Sequence, residues 1–100
     1  MKVVREIELE VREPELFKAW VSLQNSVDEI VGNNEGTIHE KSFNPDLRRM
    51  IAQYSYPSLE NQETASKEID RFLCRHGVET QVVRSKDLLW EKLAKTAGVI

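Results

Sequence analysis

The run VVREIELEV, residues 3–11, restricts what this chain can fold into more than any other stretch. Its residues alternate with a period of two. Val3, Ile7, Leu9 and Val11 share one face with Arg5, while Val4, Glu6, Glu8 and Glu10 share the other. A helix would scatter both sets around its axis, whereas a strand sends successive side chains to opposite sides of a sheet. One side of that sheet therefore requires an apolar cover, and the other presents three carboxylates.

The cover is found further along the chain. Pro14 opens a segment in which Leu16, Trp20, Leu23, Val27 and Ile30 recur at spacings of three and four, predicting an amphipathic helix stopped by Gly32, Asn33 and Asn34. TIHEKSF (37–43) reads as a strand ended by the turn cluster NPDL, and RRMIAQYSY (48–56) as the next. In the latter, Met50, Ala52, Tyr54 and Tyr56 share a face. Ser58 is placed to cap a second helix through Ala65, Ile69, Phe72, Leu73 and His76, which Gly77 ends. VETQVVR (78–84) predicts a fourth strand. SKDLLWEKLAKTAG predicts a short C-terminal helix, capped by Ser85, with Leu89, Trp90, Leu93 and Ala97 inward. The order β-α-β-β-α-β with right-handed crossovers is the ferredoxin-like α+β arrangement: an antiparallel sheet in the order 4-1-3-2, with both long helices on one face. Residues 1–100 form a single domain in this reading.

Composition narrows the partners. Fourteen basic and seventeen acidic residues give a net charge of −3, without long runs of either sign. Nothing in that balance favours nucleic acid or an anionic membrane. Met1 leads straight into the alternating strand, which does not resemble a signal peptide, and no apolar run is long enough to span a bilayer. The single Cys74 excludes an internal disulfide and a cysteine-based zinc site, so the expected location is a reducing cytoplasm.

Two helices cover only one face of four strands, so the open face is where a ligand, the third helix or a second copy of the chain would sit. The expected ligand-facing surface comprises Glu6, Glu8, Glu10, Gln53, Ser55 and Gln81, with Ile51, Glu79 and Val83. Arg84 and Arg49 are available cross-strand partners for the glutamates. Acids where aromatics and bases would be needed argue against an RNA-binding sheet. His39 and Glu40, as strand neighbours, point to opposite faces, so at most one of them faces a site. Ile38 and Phe43 differ in parity, and a bulge between them would reconcile the two registers. HEKSF lacks the second histidine of a zinc motif, and no metal or cofactor is implied. Cys74 reads as a half-buried inert thiol, and Trp20 and Trp90 as core or interface aromatics. Arg48 and Arg49 read as solvated turn residues.

From residue 35 to 73 the chain resembles the dimeric α+β-barrel proteins, the group that includes antibiotic-biosynthesis monooxygenases. EGTIHEKSF opens a strand after the first helix, NPDL turns, and IAQYSYPSLENQETASKEIDRFL runs from an aromatic strand through a serine into a helix. The resemblance implies a homodimer whose open faces meet around a ligand space. Tyr56 stands where that group often has tryptophan, and the triply acidic first strand differs from an apolar barrel interior.

No recognisable catalytic set emerges, which favours a small ligand-binding or regulatory module, homodimeric through the sheet, over an enzyme. The enzymatic alternative is a cofactor-free oxygenase- or isomerase-like catalyst with His39 or a glutamate such as Glu8 as base and Tyr54 or Tyr56 lining the pocket. A third reading is an adaptor that binds a protein through the C-terminal helix.

Overall fold

The structure, a computed structural model, describes residues 2–89, with side chains through residue 86. Strand β1 (Val3–Val11) leads through a 3-10 turn (Pro14–Leu16) into helices α1 (Phe17–Ser22) and α2 (Gln24–Asn33). Strands β2 (Thr37–Asn44) and β3 (Arg49–Tyr56) form a hairpin, followed by helix α3 (Leu59–Arg75) and strand β4 (Thr80–Leu89). The sheet order is β2-β3-β1-β4 with every pairing antiparallel, the ferredoxin-like topology that the periodicities predict.

The helices bury one face of the sheet. Ile7 and Val11 of β1 and Met50, Ala52, Tyr54 and Tyr56 of β3 pack with Trp20, Val27 and Val31 below α1 and α2, and with Ala65 and Leu73 below α3. At about 25 cal/mol per Å² of apolar surface removed from water, this layer supplies the main folding force. The expected first helix is interrupted at Leu23. There the Ser22 hydroxyl donates to the Ala19 carbonyl at 2.7 Å and the Gln24 amide to the Trp20 carbonyl at 3.1 Å, so side chains compete for the helix's own acceptors. Ser58 caps α3 as predicted, accepting from the Asn61 N–H at 3.1 Å.

Helices α2 and α3 each close with a left-handed residue, but only one of the two is a glycine. After α3 it is Gly77 (φ 71°), with the Val78 N–H returning to the Leu73 carbonyl at 3.0 Å. After α2 it is Glu35 (φ 61°), and the Gly36 N–H reaches the Val31 carbonyl at 2.8 Å. Gly36 is required for space instead: a Cβ there would lie 2.6 Å from a Val31 methyl and 2.7 Å from the Tyr56 ring.

Tertiary pairing settles three points that the sequence pattern left open or placed otherwise. β4 continues through Leu89, pairing Ser85 with Ile7 and Leu89 with Val3, so Ser85 caps no helix. The long β1 offers a ladder that outweighs the short 3.6-residue pattern of residues 85–89. The remainder of the expected helix, with Trp90, lies outside the described residues. Second, β2 shifts register between Ile38 and Glu40, leaving His39 as an extra residue opposite β3. This bulge places Ile38 opposite Tyr54 and Phe43 opposite Met50, on the helix face, despite their differing parity. Third, β4 shifts between Glu8 and Leu9, leaving Val83 as its extra residue and turning Arg84 and Lys86 toward the open face.

Candidate functional site

On the open face, β1 sets Glu6, Glu8 and Glu10 in a row, flanked by Gln53, Ile51 and Arg49 of β3 and by Lys86, Arg84 and Gln81 of β4. The carboxylates are spoken for. The Arg84 guanidinium lies 3.0 Å from Glu8, while Arg49 bridges Glu8 at 3.5 Å and Glu10 at 3.1 Å. The Gln53 amide donates to Glu6 at 3.0 Å. These are the cross-strand pairs that adjacent strands favour. They leave a shallow groove of about 550 Å³ over Glu6, Glu8, Glu40, Ile51, Arg84 and Lys86. Arg49 is therefore a cross-strand partner and not a solvated turn residue. Arg48 is tied as well: its carbonyl accepts from the Val11 N–H at 3.0 Å and its Nε donates to the Val11 carbonyl at 3.2 Å.

The bulge also overturns the opposed orientation expected of His39 and Glu40. Glu40 pairs with Gln53 and lines the open-face groove. His39 Nε2 shares a 2.7 Å hydrogen bond with the Ser55 hydroxyl, and Ser55 alternates with the inward Tyr54 and Tyr56. Strict alternation fails here because an extra residue breaks the pleat. Ser55 is only 1% exposed, so it is a buried partner of His39 and not a surface for ligand.

The helix face holds a second concavity of about 330 Å³, bounded by β1, β3, β4, α1, α2 and α3. Its walls are largely core residues, among them Trp20, Met50, Tyr54 and Tyr56, with Arg5, Gln24, Ser66, Asp70 and Thr80 adding polar atoms. Arg5 and Gln62 both donate to the Ser66 hydroxyl, the latter at 3.1 Å. Lys41, on β2, bonds Gln24 at 2.8 Å, pairs with Asp28 and sits 5.5 Å from the Tyr54 ring centroid, fastening α2 to the edge strand. Burial, then the Asp28 carboxylate and Tyr56, push the Tyr54 phenol well above its ordinary pKa, against a smaller downward pull from Arg5. Tyr54 is thus a neutral hydroxyl across the physiological range.

The structure brings Glu6, Glu8, Gln53 and Ile51 together as expected, with Glu10 and Gln81 further along the same face. It separates Tyr56 from His39 and Glu8, because Tyr56 lines the helix-face cavity while the other two belong to the open face. An acid–base set drawing on all three has no common point of convergence within one chain. Cys74 is exposed and not half-buried. Among the described residues no three His, Cys, Asp or Glu side chains gather to hold a metal ion, and no helix is long and apolar enough to cross a membrane. Trp20, Gln24, Ser66 and Arg5 are the cavity residues that sequence reasoning passed over. Arg5 carried a signal, as the one charged residue on the apolar face of β1.

No protein-family model matches the sequence, and no curated protein does. Solved structures do resemble it. The protein YJCS superposes with a TM-score of 0.72 at 12% identity, over 89% of this chain and 98% of that one. A dimeric ferredoxin-like protein from an uncultured marine organism gives 0.61 at 12% identity, over 88% and 93%. A NIPSNAP family protein from Agrobacterium tumefaciens gives 0.59 at 16% identity, over 89% and 92%. At such identities the likeness is one of architecture, and it agrees with the dimeric α+β-barrel resemblance of residues 35–73: the chain has the ferredoxin-like α+β fold.

Proposed function

We propose that this chain is a ligand-binding module that takes a small, largely apolar molecule into the helix-face cavity and pairs with a second copy of itself through the open face. The observation that carries the reading is the cavity itself. Its roughly 330 Å³ lies in the range of small-molecule sites, and its core-type walls carry a few convergent polar groups. The open-face groove suits an apolar ligand less well, because it is lined by charged side chains, and Glu6 and Glu8 are already paired with Gln53, Arg49 and Arg84.

Self-association draws support from charge. A two-fold axis running between two open faces, parallel to the strands, lays β2 over the partner's β4 and β3 over its β1. The Glu40 edge then meets the Arg84 and Lys86 edge, and the β3 row with Arg49 meets the glutamates, so the face is complementary to itself. Ile51, 44% exposed near the middle, gives this contact an apolar centre. The marine ferredoxin-like protein of the same fold is described as dimeric.

Light scattering of the 11.6 kDa chain tests the assembly. The expected mass is that of a dimer, and Ile51→Glu, which sets a carboxylate against the partner's glutamate row, is expected to give a folded monomer. A wild-type chain that is strictly monomeric would end the self-association half of the reading. Native mass spectrometry of the same sample tests the other half, with a small-molecule adduct as the expected result.

A further inference from the structure

We infer that the molecule bound in the helix-face cavity is neutral and carries a hydrogen-bond acceptor, of carbonyl type, that receives the indole N–H of Trp20. The inference rests on the reading of this cavity as the ligand site and goes on to specify the ligand's chemistry. Trp20 is fully buried and lines the cavity, yet its Nε1 has no hydrogen-bond partner. Buried polar groups are nearly always bonded, because a donor removed from water with nothing in exchange is destabilising.

The ring is not free to turn toward an acceptor elsewhere. Phe17 and Phe43 hold it edge-on, with centroids 5.9 and 6.1 Å away. Two of the cavity's other polar groups are already engaged elsewhere. Gln24 bonds the Trp20 carbonyl and accepts from Lys41, and Ser66 receives Arg5 and Gln62. None of the cavity's own acceptors, the Asp70 carboxylate included, receives the Trp20 N–H, which leaves that donor to an acceptor brought by a ligand.

Neutrality follows from the surroundings. Met50, Val27, Ile69 and Leu73 are poor hosts for an ion, and the wall sets the Asp70 carboxylate against an anion and the Arg5 guanidinium against a cation. The upward shift of the Tyr54 phenol reports the same resistance to negative charge. An indole N–H donates and cannot accept, so an alcohol or amine serving only as donor would leave Trp20 unchanged.

Two isosteric probes isolate the acceptor: cyclohexyl methyl ketone and isopropylcyclohexane, titrated into the full-length protein and followed by calorimetry and by the Trp20 indole N–H resonance. The ketone is expected to bind roughly three- to ten-fold more tightly, the worth of one net hydrogen bond. It should also move the indole N–H resonance, which the hydrocarbon leaves in place. In Trp20→Phe the preference is expected to vanish while the hydrocarbon still binds. Should that variant fail to fold, the wild-type resonance decides alone. Equal affinity for both probes with an unmoved indole signal overturns the acceptor assignment and leaves the cavity standing. Binding of neither probe removes the cavity as a ligand site, and this inference with it.

Discussion

The two faces of this sheet are built from the same strands and obey different physics. On the helix face, Ile7, Leu9 and Val11 pack into a core together with Trp20 and Met50, and Lys41 ties α2 to the edge strand through Gln24 and Asp28. On the open face, the intervening Glu6, Glu8 and Glu10 meet Gln53, Arg49 and Arg84, of which Arg84 is largely solvent-exposed. Burial is worth kilocalories per side chain, whereas exposed ion pairs are worth a fraction of one. The helix face therefore determines whether the chain folds. Around Glu6, Glu8 and Glu10 the open face contributes less to stability and is correspondingly available for assembly, whereas Val4 and Ser55 on the same face are buried.

Substitutions on each side probe that contrast. The largest effect is expected from Trp20→Ala, which empties a fully buried site and should lower stability by about 3–5 kcal/mol in chemical denaturation. A loss below about 1 kcal/mol would break the comparison. Gly36→Ala comes next, at about 1–3 kcal/mol, since its Cβ would press on Val31 and Tyr56. Changing Glu35→Gly in the same loop should instead be neutral or stabilising, because glycine adopts the left-handed conformation without strain.

A further probe is pH. Because the folded state raises the Tyr54 pKa, the unfolded chain loses this proton first, near pH 10. Stability should be level below that point and fall as the pH climbs above it, by at most about 1.4 kcal/mol per pH unit. Tyr54→Phe should remove that part of the slope, as read from urea midpoints taken between neutral and alkaline pH. The smallest effect is expected at Arg84→Ala, under about 1 kcal/mol and smaller still in high salt, because Arg84 meets Glu8 from a largely exposed position and Glu8 keeps Arg49. A loss comparable with that of Trp20 would show the open face to be part of the folding core.

Much of this was legible in the linear chain. The alternation of residues 3–11 placed the glutamates opposite the helices, and the spacing of Leu16, Trp20, Val27 and Ile30 supplied the cover. Ser58 and Gly77 marked the limits of α3 because caps act over a few residues. What eluded sequence reasoning was non-local. Arg5 gave a hint of the helix-face cavity, but its walls come from six elements far apart in sequence. Tyr56 alternates with Ser55, the partner of His39, and so lies on the other side of the sheet from that histidine. Ser85–Leu89 looked helical over five residues and became strand because β1 offered hydrogen bonds to continue the ladder.

Periodicity by itself determined the elements, their order and the polarity of each sheet face, since two-residue and 3.6-residue repeats are local properties of the chain. Only the tertiary structure decided where the repeats slip. The bulges at His39 and Val83 turn Glu40, Arg84 and Lys86 onto one surface, and that choice depends on how each edge strand aligns with its neighbour. A hydrogen-bonded ladder and a packed helix layer jointly fix that alignment, and neither exists until distant segments meet.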